Sequence, residues 1–321
     1  MSDYTGIQGQ AVVNVSSDPS VPVIAQVWYN STAGVFKITN QVAAGAWATG
    51  GNLGTARKGI AGAGTQTAGL AIGGDPSGTA TEEYDGTSWS PGGTLGTSRY
   101  LSGGAGTQTA GLVFGGNTPP KTQTEEYDGS TWTAGGNLGT GRYWLGSCGT
   151  QTAGLGFGGY SPPAPVVQVK TEEYDGTSWT AGGNLGTGRR QLAGCGTQTA
   201  GLGFGGYAPS LPGTTAATEE YDGTSWTAGG NMTTANRLLA GAGTQTAGLA
   251  FGGTPSPTLS EKYDGTSWTA SPSLNIGSIY IGGAGTQTAG LGFGGEIPSG
   301  VTARTEEFNA PGFTTKTLTV T

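Results

Sequence analysis

The sequence predicts an all-β chain folded as a ring of six similar four-stranded antiparallel sheets, a six-bladed β-propeller, and three observations carry that prediction. The heptapeptide Gly-Thr-Gln-Thr-Ala-Gly-Leu occurs six times, at 64–70, 106–112, 149–155, 196–202, 243–249 and 285–291, so one supersecondary unit is being built repeatedly. Each copy runs into a double glycine, from Gly73-Gly74 to Gly294-Gly295, followed by a block whose commonest form is Glu-Glu-Tyr-Asp-Gly-Thr-Ser-Trp, as at 172–179. No helical period of about 3.6 residues appears anywhere along the chain.

The fourth unit shows how each element is justified. Leu192 to Thr197 is a small-residue, β-compatible first strand, and Thr197-Gln-Thr-Ala200 reads as a tight turn. Gly201-Leu-Gly-Phe204 alternates, placing Leu202 and Phe204 on one face, and Thr218-Glu-Glu-Tyr221 alternates again. Asp222-Gly223 signals a hairpin, with a type I′ turn and positive φ at both central residues expected. Ser225-Trp226-Thr227 is the outer strand. A meander of this kind cannot bury both faces alone, whereas stacking units around an axis and closing the ring buries the faces and removes the ends. First strands are Gly-, Ala- and Ser-rich because strands converge at the axis. The outer-strand tryptophans (Trp89, Trp132, Trp179, Trp226, Trp268) and the third-strand tyrosines (Tyr84, Tyr127, Tyr174, Tyr221, Tyr263) should fill the wedges between blades. Each such aromatic removes about 150–250 Å² from water.

A double glycine closing a strand, then Glu-x-Tyr-Asp, then Trp, then Arg ahead of a Gly-rich strand, resembles the kelch repeat of β-propellers over residues 47 to 313. Two departures stand out. The Thr-Gln-Thr-Ala turn is unusually uniform, and the sixth unit carries Glu306-Glu307-Phe308-Asn309 with Phe313 where Trp is expected. The resemblance implies closure by strand exchange. Ala46-Trp47-Ala48 precedes Gly50-Gly51-Asn52-Leu53 as the outer-strand tryptophans do elsewhere, while Gly312-Phe313-Thr314 would continue the last blade itself. A mixed seam sheet holding both is the expectation, with residues 1–46 as an extended leader and hairpin and 47–321 as the propeller.

Length varies in one place only. From the first Glu of each third strand to the next Gly-Thr-Gln the spacing is 24 residues throughout, whereas from Gly-Thr-Gln to the next such Glu it is 18, 19, 23, 23, 18 and 21. The variation lies between the second and third strands. In a meander propeller those loops share a rim with the connections between blades. The connection positions also vary: Lys58, Tyr100, Tyr143, Arg190, Arg237 and Ile279 six residues before Gly-Thr-Gln, and Gly59, Leu101, Trp144, Gln191, Leu238 and Tyr280 five before. Lys58, Tyr100, Tyr143, Trp144, Arg190, Arg237 and Tyr280, with the loop residues Tyr160 and Tyr207, form the candidate binding face, since rigid scaffolds carry function on their loops. Neutral drift in tolerant loops is the competing explanation.

The charged residues read as framework. Most carboxylates recur in the third-strand motif, where repetition argues against the two differentiated carboxylates of glycoside hydrolysis. The first Glu of each motif (Glu82, Glu125, Glu172, Glu219) faces the same way as Tyr two residues later. Arg57, Arg99, Arg142 and Arg189, seven residues before Gly-Thr-Gln, are its expected ion-pair partners; Asn236 and Ser278 break the column. Separations beyond about 6 Å would reject the pairing.

The chain has no histidine, which removes the commonest base and metal ligand, including the imidazole ligands that copper-oxidase propellers need. No catalytic triad, Walker, zinc or EF-hand spacing occurs, so no catalytic residue, metal or cofactor is expected; the Asp-Gly-Thr-Ser repeats would suit calcium but need only hairpin geometry. Cys148 and Cys195 sit in a column otherwise filled by alanine, as small buried side chains or as a disulfide between neighbouring repeats. Net charge is −7 with no basic patch, and no apolar run is long enough to span a bilayer, so neither nucleic acid nor membrane insertion is expected.

Val27 to Lys37 reads as strand, turn and strand, and resembles short hairpins of bacteriophage tail and other virion proteins. With the Gly/Thr richness and near-identical repeats, this resemblance implies a non-enzymatic structural or adhesive virion component, a tail, fibre or surface-decoration protein. Its partners would be other virion subunits or a host-surface glycan or protein. The leader is where a second copy of the chain would dock. The rival expectation is a carbohydrate-active propeller enzyme or lectin.

Overall fold

The computed structural model describes residues 13–15, 27–41, 45–117, 119, 121–162, 166–211, 213–311 and 313–318, and no helix occurs among them. The chain divides into two units, Trp47–Asn309 and Met1–Ala46 with Ala310–Thr321.

The larger unit is a six-bladed β-propeller of four-stranded antiparallel blades. Blade 1 runs from the axis outward as Ala61–Thr65, Ala68–Ile72, Thr81–Tyr84 and Trp89–Pro91, and blades 2 to 5 repeat that order. Blade 6 is Gly282–Gly285, Ala289–Phe293 and Thr305–Asn309, completed by the N-terminal strand Ala46–Thr49. Trp47 therefore takes the place of the outer-strand tryptophan, its ring 5.0 Å from Phe251 as Trp226 is 4.7 Å from Phe157.

The expected mixed seam sheet is corrected here. The C-terminal strand Phe313–Leu318 pairs with Val35–Gln41 in the smaller unit, in a sheet that also contains Val27–Asn30 and, parallel to it, Val13–Val15. The propeller accordingly ends at Asn309 rather than at 321. With Trp47 already on the outer edge of blade 6, the C-terminal strand finds its open edge on the leader hairpin. The predicted hairpin is present, its turn closed by Gly34 N–H to Asn30 O at 2.8 Å. Of residues 1–24, expected to be extended, all but 13–15 lie outside the described residues.

The core lies between blades. Leu155 and Phe157 of blade 3 pack with Leu185, Leu192 and Tyr221 of the next repeat, with Trp226 against the cluster. Tyr84, Tyr127, Tyr174, Tyr221 and Tyr263 are buried to 1 % exposure or less, which places them in the wedges as expected. The double glycines adopt positive φ at both residues (63° and 105° at Gly73 and Gly74), a conformation that L side chains rarely adopt. Gly74 N–H there reaches the Arg99 carbonyl of the next repeat.

The Asp-Gly hairpins differ from the type I′ expectation. Positive φ is confined to the glycine (91° at Gly86), and Asp85 Oδ1 accepts the amides of Thr87 and Ser88 at 2.8 and 2.7 Å. The aspartate side chain thus substitutes for part of the turn's backbone bonding. Those bonds hold the exposed Asp85 carboxyl below its usual value, as they do for Asp128, Asp175, Asp222 and Asp264.

Candidate binding face

The seams between blades decide which rim is free. Every Thr-Gln-Thr-Ala turn sends its glutamine back to the preceding blade, where Nε2 donates to two carbonyls at 2.6–3.1 Å, as Gln151 does to Gly111 and Tyr127. That explains the uniformity of the turn: its side chain is a latch. Tyrosine hydroxyls cross the same seams to the second Glu of the preceding motif, as Tyr127 does to Glu83 at 2.6 Å, with Tyr84–Glu307, Tyr174–Glu126, Tyr221–Glu173 and Tyr263–Glu220. Burial first, and these bonds second, push the five phenols up to about 12. Trp89, Trp132, Trp179, Trp226 and Trp268 each donate Nε1 to a third-strand threonine of the preceding blade at 2.8–2.9 Å.

One seam departs from the pattern. Between blades 5 and 6 the tyrosine is Phe308 and the glutamate is Lys262, whose Nζ lies 4.7 Å from the Phe308 ring centroid. A hydroxyl–carboxylate bond is replaced by a cation–π contact. Trp47 Nε1 and Ser260 Oγ, the counterparts of the tryptophan–threonine bond, are both buried without a partner there.

The arginine column pairs as its spacing predicts. Arg57–Glu82, Arg99–Glu125, Arg142–Glu172 and Arg189–Glu219 lie at 2.7, 2.5, 2.9 and 2.9 Å, with every guanidinium fully buried. Each Nη1 also donates to the carbonyl of the first residue of a double glycine, as Arg142 does to Gly158 at 2.7 Å. The other oxygen of each Glu accepts a backbone amide at 2.6–2.7 Å. Burial lowers the guanidinium pKa and the paired carboxylate raises it again. Where the column breaks, Asn236 donates to Gly252 O at 2.7 Å and Ser278 to Gly294 O at 3.2 Å.

The opposite rim gathers the variable residues. Six β-bridges join each connection to the residue after its double glycine: Lys58 to Asp75, Tyr100 to Asn117, Tyr143 to Tyr160, Arg190 to Tyr207, Arg237 to Thr254 and Ile279 to Glu296. Connections and variable loops therefore share one rim. The longer loops rise from it as two-stranded ribbons, Tyr160–Ser161 with Val166–Val167, Tyr207–Ala208 with Gly213–Thr214, and Glu296–Ile297 with Gly300–Val301.

The next residue of each connection forms the channel mouth. Gly59, Leu101, Trp144, Gln191, Leu238 and Tyr280 donate their amides in turn to the preceding member's carbonyl at 2.8–3.0 Å, with Gly59 closing on Tyr280, so six bonds make a complete circle. The five non-glycine members sit at φ of 56° to 60°. Left-handed backbone costs about 1–2 kcal/mol per residue, and the circle of bonds holds it in place. This ring is a feature that sequence reading missed; Gly59 alone hinted at the conformation. Below it the axial channel, about 260 Å³, is walled by small residues including Cys148 and Cys195. Both cysteines are free and buried, so the inter-repeat disulfide is not formed, and burial pushes the Cys195 thiol up to about 12.

The rim has two halves. On one, a cavity of about 280 Å³ is lined by Lys58, Asp75, Tyr100, Leu101, Asn117, Trp144 and Tyr280. Lys58 is paired with Glu296 at 2.8 Å and lies 5.7 Å from the Tyr280 ring centroid, and Asn117 donates to the Tyr100 hydroxyl at 2.9 Å. On the other half Tyr143, Trp144 and Tyr160 form an aromatic cluster with centroids 4.8–6.3 Å apart. The Arg190 guanidinium lies 5.2, 4.9 and 5.0 Å from the rings of Trp144, Tyr160 and Tyr207, and Arg237 lies 5.4 Å from Tyr207. Burial and the neighbouring Tyr160 raise the Tyr143 phenol, and Arg190 acts against them. All nine candidate residues thus lie along this rim, in two neighbouring groups that meet at Trp144.

Fold and rim together define a six-bladed β-propeller with one rim latched and one rim varied. No family model and no curated protein matches the sequence. Among solved structures the chain is similar to YjhT, with a TM-score of 0.67 and 15% identity over 82% of this chain and 99% of that one. At that identity the likeness is one of fold.

Proposed function

We propose that the chain is a kelch-type propeller serving as a non-enzymatic structural or adhesive component of a phage particle, contacting a host-surface glycan, a host protein or another virion subunit through its variable rim. The observation that carries this reading is the division of labour between the rims. Glutamine, tyrosine, tryptophan and arginine side chains are spent on holding the ring, whereas the varied aromatic and cationic residues collect around the channel mouth. A rigid scaffold presenting diverse aromatics and arginines is the composition of a recognition surface. The kelch assignment rests on the double glycine, the Glu-x-Tyr-Asp-Gly turn and the tryptophan recurring in register. In the same reading the leader, with its hairpin and added C-terminal strand, is the docking element toward the particle or a second copy.

Antibodies against the purified protein, applied to particles released from cells carrying its gene, test the proposal by electron microscopy. Gold on tails or particle surfaces is expected. Protein that stays soluble and never copurifies with particles would refute it.

A further inference from the structure

Arg190 and Arg237 are rim cations of an unusual kind. Lys58 has Glu296, and the framework arginines hand their terminal nitrogens to glutamates and carbonyls. Among the described residues no carboxylate lies within ion-pair distance of Arg190 or Arg237, and the Nε of each is buried without a hydrogen-bond partner. Aromatic rings flank both: Trp144, Tyr160 and Tyr207 surround Arg190, and Tyr207 also meets Arg237. The rings hold a planar guanidinium but satisfy none of its donors. In a chain of net charge −7, these are two uncompensated positive charges side by side.

Three further polar atoms at the mouth lack partners, Trp144 Nε1, Gln191 Oε1 and the Ser102 hydroxyl. The first only donates and the second only accepts. A carboxylate could serve Trp144 but not Gln191. A hydroxyl both donates and accepts, so it serves either atom once the side chain turns toward the mouth. The ligand chemistry that meets all these demands has a carboxylate for the arginine fork, hydroxyls for the mouth, and an apolar face for the aromatic rings. An acidic peptide supplies only the first of these in quantity, and a nucleic acid is repelled by the net charge.

We infer that this half of the rim binds a carboxylate-bearing saccharide, its carboxylate on Arg190 and Arg237 and its ring beside Trp144. The inference rests on the rim being the binding face proposed above.

The test uses the full-length protein and a galacturonic acid oligosaccharide, with its methyl ester and poly-glutamate as comparators, by titration calorimetry. The acid sugar binds, and esterification weakens binding about tenfold or more, as loss of hydrogen bonds to a charged group requires. Arg190→Gln weakens it as much, Arg190→Lys less, and Thr152→Ser on the latched rim leaves it unchanged. Circular dichroism and an unaltered unfolding midpoint for Arg190→Gln exclude misfolding as the cause. Equal affinity for acid and ester, equal affinity for poly-glutamate, no binding of the acid sugar, or indifference to Arg190→Gln would each overturn the inference. If the sugar fails to bind but Trp144→Ala still abolishes particle attachment, the ligand class falls and the rim reading survives. If attachment ignores Trp144→Ala as well, the rim reading falls too.

Discussion

Replacing Arg142 by methionine removes one of the four buried cations that tie a blade connection to its third strand. Its guanidinium is fully buried and bonds Glu172 Oε1 at 2.9 Å, Gly158 O at 2.7 Å and Lys170 O at 2.8 Å. Lys170 O keeps a second partner in the Gly158 amide, so the substitution orphans one carbonyl and, more seriously, one carboxylate. Glu172 would retain only the Gly139 amide at 2.6 Å. Breaking a buried pair by removing one partner costs about 3–5 kcal/mol, because an uncompensated charge stays behind. At roughly 2 °C per kcal/mol for a unit of this size, Arg142→Met should lower Tm by about 6–10 °C. Urea unfolding at equilibrium, followed by tryptophan fluorescence, measures the free energy directly. Arg142→Met with Glu172→Gln removes both charges and should recover about half of the loss, so the coupling energy exceeds about 2 kcal/mol by whatever Glu172→Gln costs alone. The deficit of the single variant should shrink as pH falls, since an unpaired buried carboxylate is relieved by protonation. A single-variant loss below about 1 kcal/mol, or strictly additive effects, would refute the framework role.

Other seams give further expectations. Gln151→Ala removes both bonds to Gly111 and Tyr127 and should cost about 1–3 kcal/mol in urea unfolding without altering ligand binding at the far rim. Lys262→Glu with Phe308→Tyr rebuilds the tyrosine–glutamate bond present at the other five seams and should raise the unfolding midpoint, whereas Lys262→Glu alone should lower it. The five seam tyrosines have folded pKa values of about 12, above the unfolded value of about 10. Their contribution to stability is therefore fully present below about pH 10 and lost as pH rises through about 12, so alkaline unfolding should coincide with tyrosinate absorbance rather than follow it.

Repetition made the architecture legible. Blade number, strand order and the wedge aromatics follow from motifs that recur in register, and the Arg–Glu column follows from constant spacing because both residues belong to fixed parts of the repeat. Constant spacing also located the variable rim, since only its loops tolerate insertion. Features set by neighbouring blades were harder to read. The Gln66-type latch looked like turn composition because its partners lie a whole repeat away. The circle of left-handed residues was hidden because Leu101, Trp144 and Leu238 carry no sequence signature of positive φ. The Asp-Gly turn was misjudged because the Asp side chain, rather than a second positive φ, completes it. Closure was only half visible: Trp47 announced its place, but nothing in Phe313–Leu318 distinguishes an outer blade strand from a partner for Val35–Gln41. Lys262 and Phe308 depart from the repeat together, and that joint departure was the available signal for the exceptional seam.

On the virion role proposed above, attachment of particles carrying the protein to host cells measures the role of the variable rim most directly. Trp144→Ala and Tyr207→Ala, on that rim, should each abolish attachment while leaving the unfolding midpoint unchanged, and Thr152→Ser and Thr199→Ser, in the latch turns of the other rim, should leave attachment intact. Attachment that survives both rim variants but is lost with the latch-turn variants would contradict the account.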